Sequence, residues 1–172
     1  MSRWMGFQWI LLLLAAPAAG YFLRARKQGR TPVSYTHLDV YKRQVEDTGI
    51  VLGQAIAQAI GDKNGIRRYG FFILPMDDAL ALSAVDLCGR PYFEFECDFP
   101  TPMIGELDSQ LIREFFYAVS YSAAMNLHLK MMSGLNSHHM AEAMFKAFAK
   151  ALDMAVGRDE RIDGVLSTKG SL

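Results

Sequence analysis

Between Glu46 and Val156 the spacing of apolar residues switches repeatedly between a helical period near 3.6 and a strand period of 2, so one core must take both element types. The segment Glu46–Ile60 carries Ile50, Val51, Ala55, Ile56, Ala59 and Ile60 at helical spacing and stops at Gly61. Three β-type runs follow: Tyr69–Leu74, Ala79–Leu87 and Pro91–Cys97. The last alternates aromatic residues with Glu94 and Glu96, as a strand with one wet face does. Cys88-Gly89-Arg90-Pro91 is a turn signal and predicts a hairpin joining the second run to the third. A proline-bearing loop, Pro100–Pro102, leads to Asp108, the expected N-cap of a helix reaching about Ala123. Asn126–Met132 alternates as a fourth strand, and Ser137 is the expected cap of a last helix from His138 to about Val156. Helix, three strands, helix, strand, helix is the order of an α+β fold, with antiparallel sheets backed by helices on one face.

The 172 residues are enough for one domain with a real core. Eighteen Lys and Arg balance eighteen Asp and Glu, which removes the electrostatic case for nucleic acid or an anionic membrane surface as partner. Cys88 and Cys97 are read as free thiols, since two cysteines make no disulfide framework.

Composition is not uniform along the chain, and a boundary falls between residues 44 and 45. The first part holds Arg3, an apolar run Phe7–Leu23 interrupted only by Gln8, Pro17 and Gly20, and then Arg24, Arg26, Lys27 and Arg30. Alone, that pattern reads as a signal peptide or short membrane anchor, the one ground for a membrane partner. The stretch Pro32–Gln44 (PVSYTHLDVYKRQ) resembles a translated adaptor or assembly scar. Residues 1–44 are therefore expected to be foreign to residues 45–172, with few contacts to them, and the targeting signal to say nothing of the rest.

The chemistry concentrates in His138-His139-x-x-Glu142-x-x-x-Lys146 on the last helix. At about 100° per residue, His138 lies ~40° from Glu142 and His139 ~60° to its other side. Adjacent imidazoles diverge by ~100°, an arrangement poor for chelating one ion and better for serving two with the carboxylate between. Two readings stay open on spacing alone: a metal-binding face, and a solvated helix start. His128 sits in the alternating strand, where a hydrogen-bonded sheet residue is the plainer reading. Arg68, Arg90 and Lys169 stand at element ends, where a cation can meet an anion, and Ser167-x-Lys169-Gly170 combines hydroxyl, ammonium and flexible backbone.

Six strings in order carry a resemblance: Glu46-Asp47-Thr48-Gly49-Ile50, Arg68-Tyr69-Gly70, Asp77 in PMDDAL, Asp86–Tyr92 (DLCGRPY), Asn136–Lys146 (NSHHMAEAMFK) and Ser167–Gly170 (STKG). Residues 45–172 resemble the greater part of the imidazoleglycerol-phosphate dehydratases, hydro-lyases of histidine biosynthesis. The resemblance implies duplicated ribosomal-protein-S5-domain-2-like half-domains, the first incomplete here, and a cytoplasmic homo-oligomer, a 24-mer in the family. It implies a two-manganese site between subunits, to which each half brings a His-His-x-x-Glu motif. By position, His138, His139, Glu142 and Glu46 become metal ligands. Glu142, Lys146 and Glu46 become catalytic residues, and Arg68, Arg90, Ser167 and Lys169 hold the substrate phosphate. The implied reaction removes water from imidazole glycerol phosphate and gives imidazole acetol phosphate.

The chain departs from the family pattern where the first motif's histidines would stand, at Lys42 and Arg43, which have no lone pair for a metal. Glu114 stands where many members have a histidine ligand. Weak manganese binding and no dehydratase activity are therefore expected of the chain alone. Two other classes compete: a membrane-tethered protein, and a non-catalytic phosphate- or RNA-binding α+β module that would bind without metal.

Overall fold

The computed structural model describes residues 35–168. Two compact units divide the chain, residues 1–39 and 40–172. The apolar run Phe7–Leu23, Lys169 and Gly170 lie outside the described residues. Of the first unit only backbone 35–39 is described, as the start of helix α1 (Tyr35–Ile60). Helical backbone thus continues back across the compositional boundary at residue 44. Among the described residues no helix is long and apolar enough to cross a membrane.

After α1 come β1 (Tyr69–Met76), β2 (Ala79–Asp86), β3 (Tyr92–Glu96), β4 (Met103–Ile104), β5 (Leu107–Asp108), α2 (Gln110–Ser122), β6 (Asn126–Ser133) and α3 (Ser137–Val156). The main sheet has the order β1-β2-β6-β3, while β4 and β5 form a small ladder in the loop before α2. The pairs β1/β2 and β2/β6 are antiparallel, and β3 joins the edge parallel to β6.

The hairpin expected at Cys88–Pro91 is not formed, because β6 lies between β2 and β3. Leu87 and Cys88 are fully buried, so the chain leaving β2 turns into the core instead of reversing at the surface. The Tyr92 N–H then donates to the Met125 carbonyl at 3.2 Å and starts β3 beside β6. Leu127 and Leu129 suit β6 to a central place, and the exposed Glu94 and Glu96 suit β3 to an edge. The tight hairpin is β1/β2, closed by Asp77 and Asp78.

Helix α3 lies along β1 and β2. Its buried Ala143, Ala147, Ala151 and Ala155 recur every fourth residue and let its backbone approach the sheet. Gly70 completes the fit: a Cβ there would stand 1.8 Å from the Ala151 carbonyl oxygen. Phe116 of α2 is fully buried against Phe145 and Phe148 of α3, with ring centroids 4.7 and 5.4 Å away. Helix α1 meets α2 at Gly53, where a Cβ would come within 2.6 Å of the Ser122 side chain.

Two caps refine the expectation. The Asp108 side chain accepts from the Gln110 N–H at 3.0 Å, although Ser109 holds the cap position of α2. At α3 the cap is Asn136, not Ser137: Asn136 Oδ1 accepts from the N–H groups of His138 and His139 at 2.9 and 3.3 Å. Asn136 has the extended backbone a cap needs, whereas Ser137 is already helical. The buried Ser137 hydroxyl instead accepts from the Thr101 N–H at 3.2 Å and ties the preceding loop to the helix start.

Candidate functional site

Because α3 runs along β1 and β2, the tip of their hairpin reaches the N-terminus of α3. Asp77 takes a left-handed conformation there (φ 49), which Asp tolerates better than most residues. Asp78 binds three groups: Oδ2 accepts from the N–H groups of Leu135 and Asn136 at 2.5 and 2.9 Å, and Oδ1 lies 2.6 Å from His139 Nδ1. The His139 bond, then the two backbone bonds, hold the Asp78 carboxyl well below the usual carboxylate range. The same bond raises the His139 pKa, with the charges of Asp77 and Asp78 adding to it. Ionised carboxylate only accepts, so the proton of that contact belongs to His139 Nδ1. His139 Nε2 stands 3.5 Å from Asp77 Oδ2.

One turn along, His138 Nε2 is 3.5 Å from Glu142 Oε2, and Lys146 Nζ is 2.7 Å from Glu142 Oε1. The Lys146 hydrogen bond first, and the positive charges nearby second, lower the Glu142 pKa. The two imidazoles are 6.3 Å apart between centroids and tilted by 67°. Each faces a different carboxylate, which is the divergence that adjacent helical positions impose.

These residues fit manganese in donor type, imidazole and carboxylate. His139 also shows the pairing typical of a metal-binding histidine at one ring nitrogen, with Nδ1 bonded to the Asp78 carboxylate, while Nε2 stands at the longer distance of 3.5 Å from Asp77 Oδ2. They fit as parts of a site, since among the described residues no three His, Cys, Asp or Glu gather closely enough to hold an ion.

At the other end of α3 a cavity of about 750 Å³ is lined by Arg68, Tyr69, Arg90, Arg161, Ser167 and Thr168 among others. Three of the four residues read as an anion site thus share one concavity; the fourth, Lys169, lies outside the described residues. Arg68 is buried in a left-handed conformation (φ 67). Its Nε and Nη2 donate to Asp86 Oδ1 and Oδ2 at 2.6 and 3.1 Å, and Nη1 to the Leu166 carbonyl at 2.8 Å. Arg68 therefore holds the wall of the cavity with most of its donors. Arg161 is forked onto Asp159 at 2.6 and 2.8 Å. Arg90 is exposed and makes no side-chain hydrogen bond or ion pair among the described residues.

The two places are far apart within one chain. The Arg68 N–H donates to the Ala155 carbonyl, and from His139 to Ala155 the helical rise amounts to about 25 Å. Glu46 is exposed on α1, and no hydrogen bond or ion pair among the described residues joins it to His138, His139 or Glu142. Lys42 and Arg43 are exposed on the same helix. Glu114 pairs with Arg113 at 3.1 Å on the surface of α2. His128 lies on the open sheet face with its ring 5.5 Å from that of Tyr92. Both thiols are free. Sequence reasoning passed over Asp78; the available signal was two adjacent acids at the end of the four-residue gap, 75–78, between the strand patterns.

A sequence model of the imidazoleglycerol-phosphate dehydratase family matches residues 6–152. A protein of that name from Lachnoclostridium phytofermentans is 63% identical over 128 residues, 74% of this chain and 65% of its own length. One from Acetivibrio thermocellus is 46% identical over 172 residues, covering 100% of this chain and 85% of that protein. The crystal structure of the Staphylococcus aureus protein of that name superposes with a TM-score of 0.67 at 41% identity, over 69% of each chain. The chain thus spans less than two thirds of the length of the Lachnoclostridium relative.

Proposed function

This chain belongs to the imidazoleglycerol-phosphate dehydratase family, and from that premise we propose that it supplies part of a manganese-dependent site that dehydrates imidazole glycerol phosphate in histidine biosynthesis. The observation that carries the proposal is the pair of diverging imidazole–carboxylate contacts at the start of α3, His138 with Glu142 and His139 with Asp77. A solvated helix start would not need the Asp78 clamp that fixes one of those rings.

His138, His139 and Glu142 would hold the metal from this helix, with Glu46 reaching a corresponding site from α1. When bound, manganese supplies a Lewis acid that draws electron density from a coordinated imidazole. The chain's own groups do the rest. Glu142 stays ionised beside Lys146, so the two form an acceptor and a donor one turn apart for moving the substrate's protons. Asp77 faces the same side. Arg90 and Ser167 bind the phosphate in the cavity that Arg68 helps to shape, and Lys169, outside the described residues, takes the same role by its place in the motif.

A glycerol phosphate chain on imidazole is roughly 10 Å long from typical bond lengths, and cannot bridge about 25 Å between the two places. The metal-binding end of one copy must then meet the phosphate-binding end of another, which makes the active form a homo-oligomer. A soluble biosynthetic role of this kind belongs in the cytoplasm.

Lys42 and Arg43 offer no lone pair where the first motif would place histidines, so the chain alone binds manganese weakly and lacks dehydratase activity. The test compares manganese titration and product formation for this chain and for one whose residues 1–44 are replaced by a complete first half of a relative. Gain of both in the second supports the reading. Full activity of the unmodified chain overturns the incomplete site, and tight substrate binding unaffected by a chelator overturns the metal.

A further inference from the structure

We propose that Asp78 is a positioning residue that selects the tautomer of His139 and so decides which ring nitrogen is open to a divalent cation. The consequence for the cation rests on the reading above, whereas the tautomer does not. The two ring nitrogens face carboxylates at unequal distances: Nδ1 is 2.6 Å from Asp78 Oδ1, a hydrogen-bond length, whereas Nε2 is 3.5 Å from Asp77 Oδ2, too long to compete for the proton. Oδ2 of Asp78 is taken by two backbone donors, the N–H groups of Leu135 and Asn136, and Oδ1 is left for His139 Nδ1 at 2.6 Å. Both carboxylate oxygens are acceptors, so Nδ1 carries hydrogen, and in the neutral ring Nε2 has the lone pair. The ring cannot easily turn away: His139 is in the first turn of α3, its own N–H is held by Asn136, and its side chain is only 27% exposed.

One substitution inverts the pattern without removing the clamp. In Asp78→Asn the side-chain oxygen must face the two backbone donors, because an amide NH2 there would meet N–H groups head on. The NH2 is then the group that faces His139 Nδ1, and Nδ1 must accept. The proton moves to Nε2, and the only lone pair, on Nδ1, is taken up by the amide of residue 78 and is not open to a cation. Size, turn and backbone bonds are nearly unchanged.

The experiment is 15N NMR of the full-length, metal-free chain labelled at histidine, at a pH alkaline enough to keep the ring neutral. His139 is assigned by loss of its signals in His139→Gln. Wild type is expected to show hydrogen on Nδ1 and Asp78→Asn hydrogen on Nε2, with Mn2+ affinity measured by electron paramagnetic resonance about 10- to 100-fold weaker in the variant. Hydrogen on Nε2 in wild type, or the same tautomer in both proteins, overturns the proposal. The wild-type spectrum alone decides if the variant does not fold. An inverted tautomer with unchanged Mn2+ affinity would uphold the role of Asp78 and sink His139 as a metal ligand.

Discussion

Asn136 shows how much a single side chain can set. Its Oδ1 satisfies two of the first N–H groups of α3 and so fixes where His138 and His139 emerge. Asn136→Ala should lower the stability of the fold by about 1 kcal/mol, read as a lower urea midpoint with unchanged slope. Arg90 is the cation lining the cavity whose side chain has no bond among the described residues. In a complete enzyme Arg90→Ala should raise KM at least as much as it lowers kcat, and an unchanged KM would remove it from phosphate binding. Burial first, and the Asp98 charge second, push the Cys97 thiol up to about 12. The native thiol should therefore resist alkylation at pH 8 while the urea-unfolded chain reacts. Because folding raises this acid's pKa, its contribution to stability falls as pH climbs above the ordinary value of 9.0.

At the scale of elements, close approach decides the architecture. Helix α3 can lie along β1 only because Gly70 leaves room for the Ala151 carbonyl. Gly70→Ala should push the helix off the strand and cost at least about 1–3 kcal/mol, an overpacking penalty that thermal unfolding would reveal. Phe116→Ala should cost about 3–5 kcal/mol, since the ring is fully buried between helices and its cavity has little freedom to collapse. Both changes are distant in sequence from Asp78 and His139. Gly70→Ala should nevertheless disturb the His139 ring, because the strand that it displaces ends in the hairpin that holds that ring.

At the scale of the molecule, two half-built places occupy opposite ends of α3. The proposed sharing of a site between copies makes a distinctive prediction for the complete enzyme carrying this second half. His139→Gln and Arg90→Ala variants should each be impaired, and mixed assemblies should regain a fraction of the activity, because some sites then combine an intact metal end with an intact phosphate end. No gain on mixing would place the whole site within one copy. Co-purification and subunit exchange monitored by mass would show that mixing occurred.

Much of this was legible in one dimension. Among the described residues apolar spacing located the long elements, though α1 begins well before Glu46, because the periods of helix and strand differ, and the ~100° step between His138 and His139 already implied that the two rings could not share one ion well. The ordered motifs pointed to the family. Tertiary structure decided what depends on neighbours from elsewhere in the chain. Strand order was such a case: the Cys88–Pro91 turn looks like a hairpin, yet the burial of Leu87 and Cys88 sends the chain inward and lets β6 separate β2 from β3. The partners of His139 were another, since Asp78 stands 61 positions away and meets it only because α3 lies along the β1/β2 hairpin. Arg68 likewise became a wall of its cavity through Asp86 and Leu166, contacts that spacing along the chain does not encode.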